Sequence, residues 1–323
     1  MKKIFLLISG TLFSFFTFNA NATFSIVAYD EISGYYGAAF ASCVFLPPET
    51  DITEYVNAIT PIGTITTQAT VNYDNINLKN GKDQIIDNVR GNQILEWLHD
   101  HDQDDEFENK SRQYLILNNP SSGPVEGFAY TGTEVPSDKG SIINKNVVIA
   151  GNTLFPNTLQ TMYEGYTQEQ DFFIEKLLKS LTNVRDNSLG DIRCDGVSSY
   201  TAFIKVNDKH WFYNSDNLNE DAIDGLEKII NDRQKPKVCL SLISGTAFLA
   251  NIDIKGNGEY SGPYGVGSSI CSDGKSGDIF YPQFNVVAGV HKSCGTIEIK
   301  EDSGIINYDA WGTTLSPHCV RRD

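Results

Sequence analysis

Residues 24–29 alternate Phe, Ile and Ala on one face with Ser, Val and Tyr on the other, which is the period of a strand. Asp30 to Gly34 reads as a turn, and Tyr35 to Cys43 returns as a second strand rich in small residues (Gly37, Ala38, Ala39, Ala41). The two predict a hairpin whose backbone is approached closely by another layer or by a substrate. Gly63 to Asn72 is β-branched and strand-like. Asp83 to Val89 has a helical pattern, Gly91 marks a break, and Asn92 reads as the N-cap of a helix carrying Ile94, Leu95, Trp97 and Leu98. Strands follow at Gln113 to Leu117, Val125 to Tyr130 and Asn146 to Ala150, the last running into Gly151-Asn152-Thr153-Leu154. Helical stretches over Thr158 to Tyr163 and Asp171 to Asn183 precede strands over Tyr200 to Val206 and His210 to Tyr213. Asn219 then reads as the cap of a helix with Ala222, Ile223, Leu226, Ile229 and Ile230 on one face.

This order, with mostly antiparallel connections, predicts an α+β fold: two antiparallel sheets covered by helices, a four-layer αββα sandwich. Lys235-Pro236-Lys237 marks a boundary. Beyond it come short apolar runs, many glycines and four of the six cysteines, which predict a small β-rich, disulfide-stapled module over residues 236–323. The expected organisation is therefore a leader over 1–22, a main domain over 23–235 and that module.

The leader follows from Lys2 and Lys3, the apolar run Ile4 to Phe18 and the small-x-small exit Ala20-Asn21-Ala22, the three parts of a bacterial signal peptide. The run is shorter than the roughly 20 residues of a membrane span. Export to the periplasm or beyond is the expectation. The chain carries 25 Lys and Arg against 41 Asp and Glu, a net charge of −16. Loss of Lys2 and Lys3 takes this to −18. Such a surface is repelled by phosphate backbones and anionic lipids, so neither nucleic acid nor membrane is an expected partner. Cys43, Cys194, Cys239, Cys271, Cys294 and Cys319 are an even count without a C-x-x-C pair, which points to disulfides rather than a metal or redox site. Asp100, Asp102 and Asp104 start like a calcium loop, but Asp105 stands where glycine is required and Ser111 where a bidentate glutamate is required. The acidic stretch reads as a solvated connector, and no metal or cofactor is expected.

Cleavage after Ala22 would leave Thr23 with a hydroxyl and a free α-amine on one residue, a nucleophile and its base together. Several stretches share that setting: Thr23-Phe24-Ser25-Ile26-Val27-Ala28, Gly63 to Asn72 with its central Thr67-Gln68-Ala69, Tyr130-Thr131-Gly132, and Gly151-Asn152-Thr153-Leu154. With Gly190-Asp191-Ile192-Arg193 leading into Ser198-Ser199, this set resembles the domain of unknown function 1028, grouped with the N-terminal-nucleophile (Ntn) hydrolases. The likeness runs from Thr23 to about Val206. It implies an Ntn-type αββα core and, through the superfamily, hydrolysis of an amide bond in a small amide or peptide. Two positions depart from the pattern. Cys43 stands where members commonly carry lysine, and Cys194 follows Arg193 where they carry glycine. Both departures put in a cysteine, from which a Cys43–Cys194 bond is inferred.

On that resemblance Thr23 is the candidate nucleophile and Asn152 the candidate oxyanion donor, with a turn cap as the plainer role for Asn152. Ser42 is placed to orient the amine, or is merely a small strand-end residue. Thr67 and Gln68 either flank the first strand as substrate contacts or make ordinary cross-strand hydrogen bonds. Asp191 and Arg193 either hold a charged end of the substrate or lock their loop. The alternative to an enzyme is a secreted, non-catalytic binding protein that uses the C-terminal module for recognition.

Overall fold

The computed structural model describes residues 23–70, 74–102, 109–120, 123–168, 172–233, 236–275, 277–300 and 303–322. The proposed leader lies outside them, as do Val71, Asn72 and residues 103–108. In chain order the elements are β1 (Thr23–Tyr29), β2 (Tyr36–Ser42), α1 (Thr53–Val56), β3 (Asn57–Thr60), β4 (Gly63–Ala69), α2 (Ile76–Ile86) and α3 (Gly91–Asp100). Then come β5 (Arg112–Asn118), β6 (Glu126–Thr131), β7 (Gly140–Asn144), β8 (Val147–Asn152), α4 (Thr158–Thr167), α5 (Phe173–Asp186), β9 (Thr201–Val206), β10 (Lys209–Asn214) and α6 (Ala222–Asp232). The remainder is strand only: β11 (Lys237–Ala247), β12 (Ala250–Asp253), β13 (Ser261–Tyr264), β14 (Ser269–Asp273) and β15 (Ile279–Phe280). It ends with β16 (Gln283–Val286), β17 (His291–Ser293), β18 (Ile297–Glu298), β19 (Ile305–Thr313) and β20 (Ser316–Arg322).

The protein is mostly β, and this corrects the expected α+β, four-layer αββα description. Among the described residues 20 strands in five sheets stand against six α-helices. Ten of those strands, β11 to β20, build three sheets without a helix between them. Elsewhere β3 and β7, which the hydrophobic pattern did not single out, widen the sheets further. Both lack the alternation that marks a half-buried strand: β7 is exposed or half-exposed throughout, and β3 is mostly buried.

The first sheet has the order β10-β9-β2-β1-β8-β7, so β1 lies at its centre. Its strand pairs are all antiparallel. Alternation along β1 divides its side chains between two cores. Phe24, Ile26 and Ala28 pack with residues of α4, α5 and α6, while Val27 packs with Phe40, Leu115 and Leu117 against the sheet β3-β4-β5-β6. Burying one such large side chain contributes about 1.5–3 kcal/mol. The expected close approach at β2 is made by α5, because a Cβ on Gly37 would stand 2.7 Å from the Phe173 ring. On the far face of the four-stranded sheet, Ile65, Tyr114 and Ile116 pack with Leu78 and Ile85 of α2 and Ile94 and Leu98 of α3. A separate core is drawn wholly from residues between Val238 and Ala310.

Helix ends differ from expectation: α2 covers Ile76–Ile86 where the pattern pointed to Asp83 to Val89, and two caps move. Gly91 opens α3 rather than breaking the chain, with Arg90 as the N-cap, so Asn92 lies inside the helix. Asp221, not Asn219, caps α6, its carboxylate accepting from the Ile223 amide at 2.9 Å. That carboxylate also accepts from the Ser198 amide and the Ser199 hydroxyl. Burial nonetheless dominates and holds the Asp221 pKa above its ordinary 3.8. A raised pKa means the folded state binds the proton more tightly, so this contribution to stability is full below 3.8 and is lost as pH rises through the folded value. Asp221→Asn is expected to flatten the pH dependence of the thermal midpoint above pH 4. Parallel wild-type and variant curves across that range would refute this.

The acidic connector is not uniformly solvated. Asp102 is buried against Arg112, with Nε at 2.7 Å and side-chain exposures of 8% and 3%. Tyr114 and Asn77 complete this cluster. Among the described residues no group of three metal-ligating side chains assembles.

Candidate functional site around Thr23

Strand register builds the site. Thr23 stands opposite Ser42 of β2 on one side and opposite Asn152 of β8 on the other. Ser42 is in turn opposite Thr201, and Thr201 opposite Asn214. A transverse row of five polar side chains, Asn214-Thr201-Ser42-Thr23-Asn152, therefore crosses the end of the sheet, and all five are buried. Directly opposed residues in an antiparallel pair hold their Cβ atoms about 4.5–5.5 Å apart. Thr23 Oγ1 donates to Ser42 Oγ at 3.4 Å, a loose contact, and Ser42 Oγ accepts from the Val44 amide at 3.3 Å. Thr201 and Asn214 serve structure: they tie down the segment after β2 through the carbonyls of Val44, Pro47 and Thr50.

Beneath the row runs a chain of buried amides. Ser25 Oγ donates to Gln68 Oε1 at 2.5 Å, and Gln68 Nε2 donates to Gln113 Oε1 at 2.6 Å. Asn152 Nδ2 also donates to Gln113 Oε1, at 3.4 Å. Gln113 Nε2 reaches Thr131 Oγ1 at 2.8 Å and the carbonyls of Gly151 and Gly140. Gln113 thus joins both sheets to the strand beside Thr23. Neither Ser25 nor Gln113 stood out in the sequence, where each is one polar residue in an otherwise ordinary strand. Gln113→Leu is expected to cost about 2–3 kcal/mol, since buried donors and acceptors left unpaired cost roughly 1–3 kcal/mol each. Urea unfolding measures this, and a loss below about 0.5 kcal/mol would contradict the role (about half of a single net hydrogen bond).

Asn152 is a strand residue in the row, not a turn or helix cap; α4 takes Asn157 as its N-cap. Its neighbour Thr153 has φ +55°, a left-handed conformation that a β-branched residue rarely adopts. Strain of this kind persists only where the surroundings impose it. Here the Thr153 amide donates to Ser137 and its carbonyl accepts from Ile192. Gly151 is required by packing, because a Cβ would stand 2.7 Å from the Thr23 carbonyl oxygen.

The other candidates separate. Gln68 faces the site. Thr67, one residue earlier on β4, points to the opposite face, as successive strand residues must. Its hydroxyl accepts from Asn75 Nδ2 at 2.6 Å, on the α2 side. Asp191 is fully buried and accepts from the Cys43 amide at 3.2 Å and the Arg193 amide at 3.0 Å. Arg193 adds Nε and Nη2 contacts to the same carboxylate. Both oxygens of Asp191 are engaged by its own loop and by β2's end, so the geometry is that of a lock. Cys43–Cys194 closes the same junction, as inferred, with a Cα separation of 5.5 Å. Cys239–Cys271 and Cys294–Cys319 are the other two bridges. Three disulfides are the mark of an oxidising compartment, extracellular or periplasmic. No helix among the described residues is long and apolar enough to cross a membrane.

Chemically, the row offers a hydroxyl on a central strand, an amide donor opposite it, a second hydroxyl on the other side and a rigid amide chain behind. Comparison with known proteins adds the family. Among curated proteins nothing matches. Among solved structures, the crystal structure of protein SPO2555 from Silicibacter pomeroyi, itself assigned to DUF1028, superposes with a TM-score of 0.51. The match covers 65% of this chain and 88% of that one at 20% identity, so it speaks for the fold alone. The model of the family of unknown function DUF1028 matches residues 23–222, beginning at the threonine that heads the polar row, and the chain belongs to that family.

Proposed function

We propose that this protein is an exported Ntn-type amidohydrolase, cut after Ala22, in which Thr23 is the nucleophile and its α-amine the base. The observation that carries the reading is the position of Thr23, flanked by Ser42 and Asn152 at the end of the central strand. An α-amine of pKa near 8 is a usable base close to neutral pH. In the proposed reaction Thr23 Oγ1 attacks the amide carbonyl while the amine takes the hydroxyl proton. Asn152 Nδ2 donates to the developing oxyanion. The amine returns the proton to the leaving nitrogen, which departs and leaves an ester on Thr23, and water then hydrolyses that ester by the same route. Ser42 holds the hydroxyl, while Gln113 and Gln68 keep Asn152 and β1 in place. No cofactor or metal takes part, and the substrate is a small amide or peptide.

The proposed organisation is a catalytic unit over 23–235 and a module over 236–323, supported by the separate core between Val238 and Ala310. The deciding experiment is terminal sequencing and intact mass of the exported protein, followed by amide screening. A mature chain beginning at Thr23 and turning over an amide supports the reading; any other first residue removes the base and ends it. One observation favours the runner-up, a non-catalytic binding protein. Cys43, which stands where related sequences were expected to carry lysine, is held in a disulfide and offers no charge beside Thr23.

A further inference from the structure

Four turns in the last third of the chain meet at one end of its strands. They join β11 to β12, β13 to β14, β16 to β17 and β19 to β20. The Val287 amide donates to the Leu249 carbonyl at 2.8 Å, and the Gly267 amide to Leu242 at 2.7 Å. Gly289 lies against Thr314, and Gly265 against Leu249. From these turns project Leu315, Val266, Leu249, Val287 and Val290, which are 80%, 60%, 51%, 44% and 40% exposed. Segments 243–249, 265–268, 287–290 and 312–315 contain no Asp, Glu, Lys or Arg, in a chain that is 20% charged. The charged turns lie at the other end, with Lys255 and Glu259 in one and Lys275 and Asp278 in another.

That other end faces the rest of the protein. The Lys237 amide donates to Gly304, and Pro236, Ser303 and Gly304 line a cavity of about 150 Å³ together with Tyr35, Ile174 and Trp211. From Lys237 β11 runs away from this junction beside the nine residues of β19, with a bulge between Leu242 and Thr246, a span of roughly 30 Å at ~3.3 Å per residue. The uncharged end is therefore distal.

We propose that this end seats the protein on an uncharged lipid surface, the five apolar side chains entering the headgroup boundary. The five side chains project singly from four separate turns. Five side chains also supply less than the ~800 Å² per partner of a stable protein interface. A lipid boundary instead admits each protruding side chain separately. Charge selects the lipid: the four turns carry no Lys or Arg, Lys292 of β17 is the nearest cation along the chain, and the chain is at −16, so anionic lipid is repelled and zwitterionic lipid is not. The expectation against membranes rested on anionic lipid and does not bear on this case.

The test is flotation of the mature protein with phosphatidylcholine vesicles and with phosphatidylglycerol vesicles. The expected result is binding to the first, little to the second, and no weakening in high salt. Leu315→Ser with Val266→Ser is expected to lower the partition coefficient roughly ten-fold or more, from the loss of two apolar side chains. Leu218→Ser, at a 58% exposed site in the first 235 residues, leaves it unchanged. Intact disulfides and an unchanged circular dichroism spectrum show that the variants fold. Absence of flotation, equal loss in Leu218→Ser, or a dimer that depends on Leu315 and forms without lipid binding would each overturn the proposal.

Discussion

Thr23→Ala is expected to abolish amide turnover, by about 10,000-fold or more, the scale seen when a nucleophile is removed from a covalent hydrolase. That loss corresponds to roughly 5.5 kcal/mol of transition-state stabilisation. Stability should change little, because among the described residues the hydroxyl's one hydrogen bond is a loose 3.4 Å contact and the strand is held by its neighbours on both sides. Thr23→Ser should keep much of the activity, since hydroxyl and amine remain on one residue. A form carrying one extra residue before Thr23 should be inactive despite an intact hydroxyl, because the amine becomes an amide and loses its basicity. The pH profile should rise through about pH 8 as the α-amine gives up its proton. Kinetics on the amide found by screening, with calorimetry as the folding control, measures all four. Equal activity in the alanine variant would leave the non-catalytic reading in possession.

The second large effect is on stability. Removing the Cys43–Cys194 bond as a double alanine variant should cost about 3–5 kcal/mol, because the bond closes a loop of 151 residues and the entropy it removes from the unfolded chain grows with loop length. At roughly 2–4 °C per kcal/mol for a chain of this size, the midpoint should fall by about 6–20 °C. Removing Cys294–Cys319, with a separation of 25, should cost about 1.5 kcal/mol less on the same loop-entropy argument. Calorimetry of the two variants side by side provides the comparison, and a reversed order would refute the argument. Turnover should fall as well in the first variant. Cys43 follows Ser42 directly, its amide is held by Asp191, and Ser42 is the contact of Thr23.

The local alternation of Phe24 to Tyr29, the small residues of the second strand and the apolar face of α6 were legible because they depend only on short-range periodicity. The same holds for the cysteine count, which implied bridges but, without the family resemblance, no pairing. What alternation did not reach was the proportion of strand. The region after Lys237 was expected to be β-rich but not to hold ten strands, the two added at β3 and β7 carry little periodicity of their own, and sheets are assembled from partners distant in sequence. For the same reason Ser25 and Gln113, 88 positions apart, could be joined only through Gln68 once β1, β4 and β5 were stacked.

By itself the sequence determined the hairpin that begins at Thr23, the acidic surface charge and the presence of disulfides, since each is set by neighbouring residues or by simple composition. Tertiary structure alone decided that Thr23, Ser42 and Asn152 form one row, that Thr67 faces away while Gln68 faces in, and that Asp191 is spent on locking its loop. Register and facing are properties of strand pairing across 19 to 129 positions (Ser42 and Asn152 measured from Thr23), and no local pattern encodes them.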